Sequence, residues 1–172
     1  MSDDQRDNFM GGDQPLDNGQ PQIGVIAQYV KDLSFENPSA PAVYQWQTQP
    51  HMDVQVNIGA QNVGNDVHEV QLKIEVTAAA DQGTAFKVEL LYAGLFAMKN
   101  IPEDQLQPFL LAEGPRLLFP FARQIISETV INGGFPPLLL DPIDFGGLYM
   151  QRAAQAQAEG TDNQASGVIG QA

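Results

Sequence analysis

The sequence predicts an α+β domain, a four-stranded antiparallel sheet followed by two helices. Three observations carry this prediction. In Val67–Thr77, Val70, Leu72, Ile74 and Val76 alternate with Gln71, Lys73, Glu75 and Thr77, the period of a strand with one dry and one wet face. Three further alternating runs connect mainly through short turns, which suits antiparallel pairing. After them comes a segment that is apolar around most of a helical circumference.

Residues 1–21 are rich in Asp and poor in large apolar side chains, so they cannot bury enough surface to offset their ordering and read as a tail. The domain is expected over 22–158. Its first strand places Ile23, Val25, Ala27, Tyr29, Leu33 and Phe35 on one parity, interrupted there by Lys31, with Gln28, Asp32, Ser34 and Glu36 on the other. Asn37–Pro50 contains three prolines together with Tyr44 and Trp46, and reads as an extended connection rather than a helix. A second strand is expected over about Met52–Ala60, and Gly64-Asn65-Asp66 turns the chain into the third. Asp81-Gln82-Gly83 leads to the fourth, about Thr84–Met98. Its outer parity begins polar at Lys87 and Glu89 and becomes apolar at Leu91, Ala93 and Leu95.

The first helix is expected to begin near Gly114-Pro115 and to stop at Gly133-Gly134. Arg116, Arg123, Gln124, Ser127 and Glu128 make only a narrow polar stripe on it, more apolar circumference than one sheet face can cover. It is therefore either central to the fold or packed on a second subunit, and the small size of the domain favours self-association. Asp141 or Asp144 caps the second helix, which carries Leu148, Tyr149 and Met150. Past Arg152 the apolar face is lost, and 159–172 reads as a second tail.

At 172 residues and 43% hydrophobic content the chain has room for one real core. A net charge of −13 argues against nucleic acid or an anionic membrane surface as a partner, because both demand basic patches. Without cysteine there is no disulfide framework or thiol nucleophile. The polar start lacks a secretory pattern and no segment has the length of a membrane span, so a cytoplasmic protein with no membrane insertion is expected.

Catalytic motifs are missing: there is no phosphate loop, dinucleotide fingerprint, His-Glu-x-x-His or Gly-x-Ser-x-Gly. His51 and His68 read as structural, His68 joining the wet parity only if a bulge lies near Glu69. The carboxylates Asp32, Glu36, Glu69, Glu75 and Glu89 form a solvated sheet face, with no sequence signal that buries one selectively, as an acid/base pair would need. No enzyme, metal or cofactor is expected. Two surfaces remain. One is acidic and built from Asp32, Ser34, Glu36, Lys87 and Glu89. The other gathers Tyr44 and Trp46 from the connection with Phe145, Leu148 and Tyr149 from the second helix, as core or as a groove.

The run Tyr29-Val-Lys-Asp-Leu-Ser-Phe-Glu36 is followed by Pro38-Ser-Ala-Pro41, Gly94-Leu-Phe96, Leu118-Phe-Pro-Phe-Ala-Arg123, Gly134-Phe-Pro136 and Pro142-Ile-Asp-Phe145. In this order the segments closely resemble the SecB family of protein-export chaperones, over about Ile23–Arg152. The resemblance implies a SecB-like fold assembled as a homotetramer, a dimer of dimers with helices sandwiched between sheets. It implies a holdase that binds non-native precursor proteins without ATP and hands them to the SecA motor. Asp32, Glu36 and Glu89 match the family's SecA-docking residues, while Lys87 stands where an apolar residue is usual. Tyr149 matches an aromatic of the client groove, and Trp46 lies two residues before the family's position, on the same face of an extended segment. The rival readings are a chaperone dedicated to a toxin system and a small α+β enzyme.

Overall fold

β3 (Val67–Ala80) and β4 (Gly83–Lys99) form the centre of the protein, and β1 (Gln22–Glu36) and β2 (His51–Gly64) flank them in the order β1-β4-β3-β2, antiparallel throughout. The computed structural model describes residues 18–165, with side chains to Glu159. Residues 1–17 and 166–172, most of the two expected tails, lie outside it. Val70, Leu72, Ile74 and Val76 are fully buried, as are Val88 and Leu90 beside them, so the predicted dry face is the floor of the core.

The β2–β3 turn has φ 43° at Asn65 and 60° at Asp66, the paired left-handed residues of a tight hairpin matched to strand twist. The connection from β1 to β2 runs between the two edge strands of the sheet. It contains a short 3-10 turn, Ala42–Gln45, where an extended path was expected, and Val43 of that turn is buried.

β1 departs from the single-parity expectation. Its register against β4 shifts between Val25 and Ala27 and again between Val30 and Asp32, so Ile26 and Lys31 are extra residues in bulges. Pairing then sets Ile23 and Val25 opposite Met98 and Phe96 on the core side, Tyr29 opposite Ala93 on the wet side, and Leu33 and Phe35 opposite Leu90 and Val88 on the core side. A strict alternation cannot carry an inserted residue, and two insertions restore the original parity.

The helical region begins earlier than Gly114. α1 (Glu103–Pro108), a π-helical turn (Phe109–Glu113) and α2 (Gly114–Asn132) follow one another directly. Pro102 precedes α1 and its first turn is acidic, a favourable start, and the wide turn follows directly on Pro108, which removes a backbone donor. Gly114 marks a point of close approach, since a Cβ there would lie 3.1 Å from Val70 Cγ2. Leu118, Ala122, Ile126 and Val130 of α2 are buried, whereas Leu117, Phe121 and Ile131 are exposed. α2 ends as predicted at Gly134, φ 83°, with Phe135 N–H donating to Val130 O and Gly134 N–H to Ile131 O. Asp144 supplies the cap of α3 (Phe145–Ala165): its Oδ1 accepts from Gly147 N–H at 2.9 Å. α3 continues as a helix beyond Arg152, with exposed side chains over 154–159.

Candidate functional site

On the wet face, strand register assembles residues far apart in sequence. Ser34 pairs with Glu89, Glu36 with Lys87 and Asp32 with Leu91 across β1 and β4; Glu75 pairs with Glu89 and Thr77 with Lys87 across β3 and β4. Asp32, Glu36, Lys87 and Glu89 therefore share one surface, which also takes in Lys73 and Glu75. Like carboxylates directly opposite repel. Here each has a cation on its own strand: Lys73 Nζ lies 3.0 Å from Glu75 Oε1 and Lys87 Nζ 3.1 Å from Glu89 Oε1. The Lys87 hydrogen bond holds the Glu89 carboxyl below its ordinary range, and Glu89 in turn raises Lys87. Lys73 and Glu75 were legible as wet-face residues, but their pairing with β4 depends on register.

A second polar group lies further along this face. Glu69 is buried, contrary to the expectation that no carboxylate is selectively buried. Lys31, the extra residue of the second β1 bulge, reaches it, Nζ to Oε1 at 2.7 Å, and Gln61 and Gln71 donate to its two oxygens. That hydrogen bond from Lys31 is the main reason its carboxyl is held low, against desolvation. A carboxylate kept ionised in this way suits ion pairing and is the opposite of a general acid. The extra residue near here, Val63, belongs to β2, and β3 itself runs without an insertion through Glu69, so His68 takes the core parity opposite Phe96; it is buried, with Nε2 3.3 Å from Asn62 Nδ2.

On the opposite face an apolar cavity of about 200 Å³ opens between β2, the π turn and α3, lined by Ile58, Leu111, Leu148, Tyr149, Arg152 and Ala153. Leu148 and Tyr149 come together here. Phe145 is buried beneath them, edge-on to Phe119 at 5.8 Å. Tyr44 sits elsewhere, at the C-terminus of α2, where its hydroxyl donates to Gly133 O at 2.8 Å and its ring lies 5.7 Å from Phe135. Trp46 is half-buried against the core and does not line the cavity. Ile58 carried a strand signal in the sequence, but Leu111 lay in a stretch without a predicted element, and only folding brings the two to one groove. The single charge among the lining residues, Arg152, reaches back to Val56 O at 3.4 Å. Among the described residues no group of three or more His, Asp or Glu gathers as a metal site, and no helix is long and apolar enough to cross a membrane.

A charged sheet face backed by an apolar groove has the chemistry to receive extended polypeptide. Residues 17–156 match the family described as preprotein translocase subunit SecB, and the chain belongs to the SecB family. The protein-export protein SecB of Zymomonas mobilis is 63% identical over 135 residues, covering 78% of this chain and 82% of that protein; its counterpart from Sphingopyxis alaskensis is 63% identical over 139 residues, 81% of each. The fold is similar to that of the SecB-like chaperone Rv1957 of Mycobacterium tuberculosis, solved with a ChAD peptide from the HigA1 antitoxin, with a TM-score of 0.59 at 14% identity, over 70% of this chain and 90% of that one. The chain is a protein-export chaperone of the holdase class and not an enzyme.

Proposed function

We propose that the protein works in the cytoplasm as a dimer of dimers, holds non-native precursor proteins in the groove at Leu148 and Tyr149, and passes them to SecA docked on the wet face. The observation that carries this reading is the placement of the two surfaces on opposite faces of one sheet, so that a client and a docking partner do not compete for space. A long unfolded client offers many weak apolar contacts, and several grooves on one assembly raise its effective concentration. Assembly is supported by what the monomer leaves uncovered: Ile23, Val25 and Leu33 on the core side of β1, and Leu117, Phe121 and Ile131 on α2. Trp46 and Phe145 support the groove from the core, Tyr44 ties the β1–β2 connection to the end of α2, and Asp32, Glu36, Lys87 and Glu89 meet SecA.

The test is a refolding assay without nucleotide. Arrest of a chemically unfolded, slow-folding precursor in proportion to chaperone, followed by capture of the complex on immobilised SecA in low salt, is expected. Refolding at the free rate with several precursors would overturn the client reading, and arrest without SecA capture would overturn the docking reading.

A further inference from the structure

The apolar cavity between β2, the π turn and α3 carries one charge. Arg152 lines it from the same face of α3 as Leu148 and Tyr149, one turn further on, while remaining exposed. Its Nη2 donates a long bond, 3.4 Å, to Val56 O, a main-chain acceptor on the edge strand β2. Among the described residues it forms no ion pair. The three elements that wall the cavity direct their carboxylates elsewhere. Asp53, the one acid of β2, pairs with Thr77 on the wet face. Glu113, the one acid of the π turn, holds Arg116 at 2.7 Å. On α3 the residues one turn either side of Arg152 are Leu148, Tyr149, Gln155 and Ala156, and Glu159 lies about 10.5 Å further along the axis. Asp144, which precedes that helix, is taken by Gly147 N–H.

An arginine so placed is equipped for an acceptor that the surrounding chain does not provide. Its planar fork offers a carboxylate two parallel N–H donors, a stronger arrangement than a long bond to a neutral carbonyl. The cavity beside it, about 200 Å³, has room for one large apolar side chain, since an apolar cavity of about 150 Å³ holds a benzene ring. We propose that Arg152 makes the groove charge-selective: a client segment seats a large apolar side chain in the cavity, and a neighbouring Asp or Glu side chain of the client takes the guanidinium in place of Val56 O. This deepens the client-groove reading and rests on it. The chain as a whole carries −13 and repels acidic segments at long range, so the local cation selects which register of a client is held more than it adds to total affinity. Lys or Arg at the same client position sets like charges together and is disfavoured there.

Fluorescence anisotropy of the full chain with short labelled peptides tests the contact, the peptides being acetylated and amidated so that no terminal carboxylate competes. Each carries one Phe among neutral polar residues, with Asp, Asn or Lys placed one to three residues to either side of it. The quantity read is the ratio of Asp to Asn affinity at each placement, in wild type, Arg152→Gln and Arg152→Glu. Arg152 is exposed, so neither replacement disturbs the core. From wild type to Arg152→Gln the ratio should fall about threefold or more at one placement or two adjacent ones, and it should fall again there in Arg152→Glu while the Lys to Asn ratio rises. An equal fall at every placement is a long-range field effect, and that result, or no fall at all, overturns the contact; the groove reading stands if Tyr149→Ala still weakens the Asn peptides. Asn peptides that wild type does not bind, or that Tyr149→Ala binds as tightly, overturn the groove and the charge contact together.

Discussion

Lys31 shows how much one residue can depend on its context. In a regular β1 it would interrupt the apolar parity; as the extra residue of a bulge it reaches Glu69 on β3, beyond the neighbouring strand. The sign of the pH effect follows from the depressed Glu69 carboxyl. Its contribution to stability is complete above the ordinary carboxylate range and disappears as pH falls through the folded-state value. Lys31→Met removes the largest cause of that depression, so acid unfolding should begin at a higher pH, as read by circular dichroism from about pH 6 to 3. An unchanged acid limb would deny Lys31 this role. Tyr44 invites a second test, because its hydroxyl joins Gly133 O and Asn37 Nδ2 and so ties the connection to the end of α2. Tyr44→Phe keeps the ring and loses the tie; about 0.5–1.5 kcal/mol of stability should be lost in urea titration, with client affinity retained. A loss of affinity at unchanged stability would place the hydroxyl on the client instead.

Among the elements, α2 lies close upon β4. At Gly94 a Cβ would stand 2.8 Å from Leu118 Cδ2 and 3.0 Å from Phe96 Cε2, so a side chain there must displace the buried Leu118 and Phe96 side chains. Gly94→Val should cost about 1–3 kcal/mol in chemical denaturation, and a variant as stable as wild type would show that α2 has room to move. The strands and their turns were legible because alternation and left-handed turn residues are local signals. α1 was not, because Glu103–Glu113 has two internal signals that oppose a regular helix: Pro108, and a wide turn with no sequence period of its own. The bulges in β1 were equally hidden. An inserted residue looks like a parity defect until a partner strand defines the register.

At the level of the whole molecule, opposite sheet faces should respond separately to substitution. Asp32→Ala and Glu89→Ala should weaken SecA binding, with the difference from wild type shrinking as salt screens the contact. Normal SecA affinity in both would remove the wet face from the docking site. Tyr149→Ala, in the cavity wall, should weaken binding of an unfolded precursor about tenfold, and adding Trp46→Ala should weaken it further with the oligomer intact. Unchanged affinity in the double variant would sink the groove assignment.

The sequence by itself determined the fold class, the two-faced central strand, the stop of α2 at Gly133-Gly134 and the membership of the family, because each is written in local periodicity, turn chemistry or contiguous motifs. It also placed Gln71, Lys73, Glu75 and Thr77 of β3 and Lys87 and Glu89 of β4 on the wet parity, but not the burial of Glu69. Only the tertiary structure decided that Lys31 and Glu69 meet, that Ile58 and Leu111 wall the cavity with Tyr149, and that Tyr44 is spent on the end of α2. Each of these joins segments tens of residues apart, and the register and close approach that bring them together are properties of the packed sheet and helices, with no counterpart in any single stretch of chain.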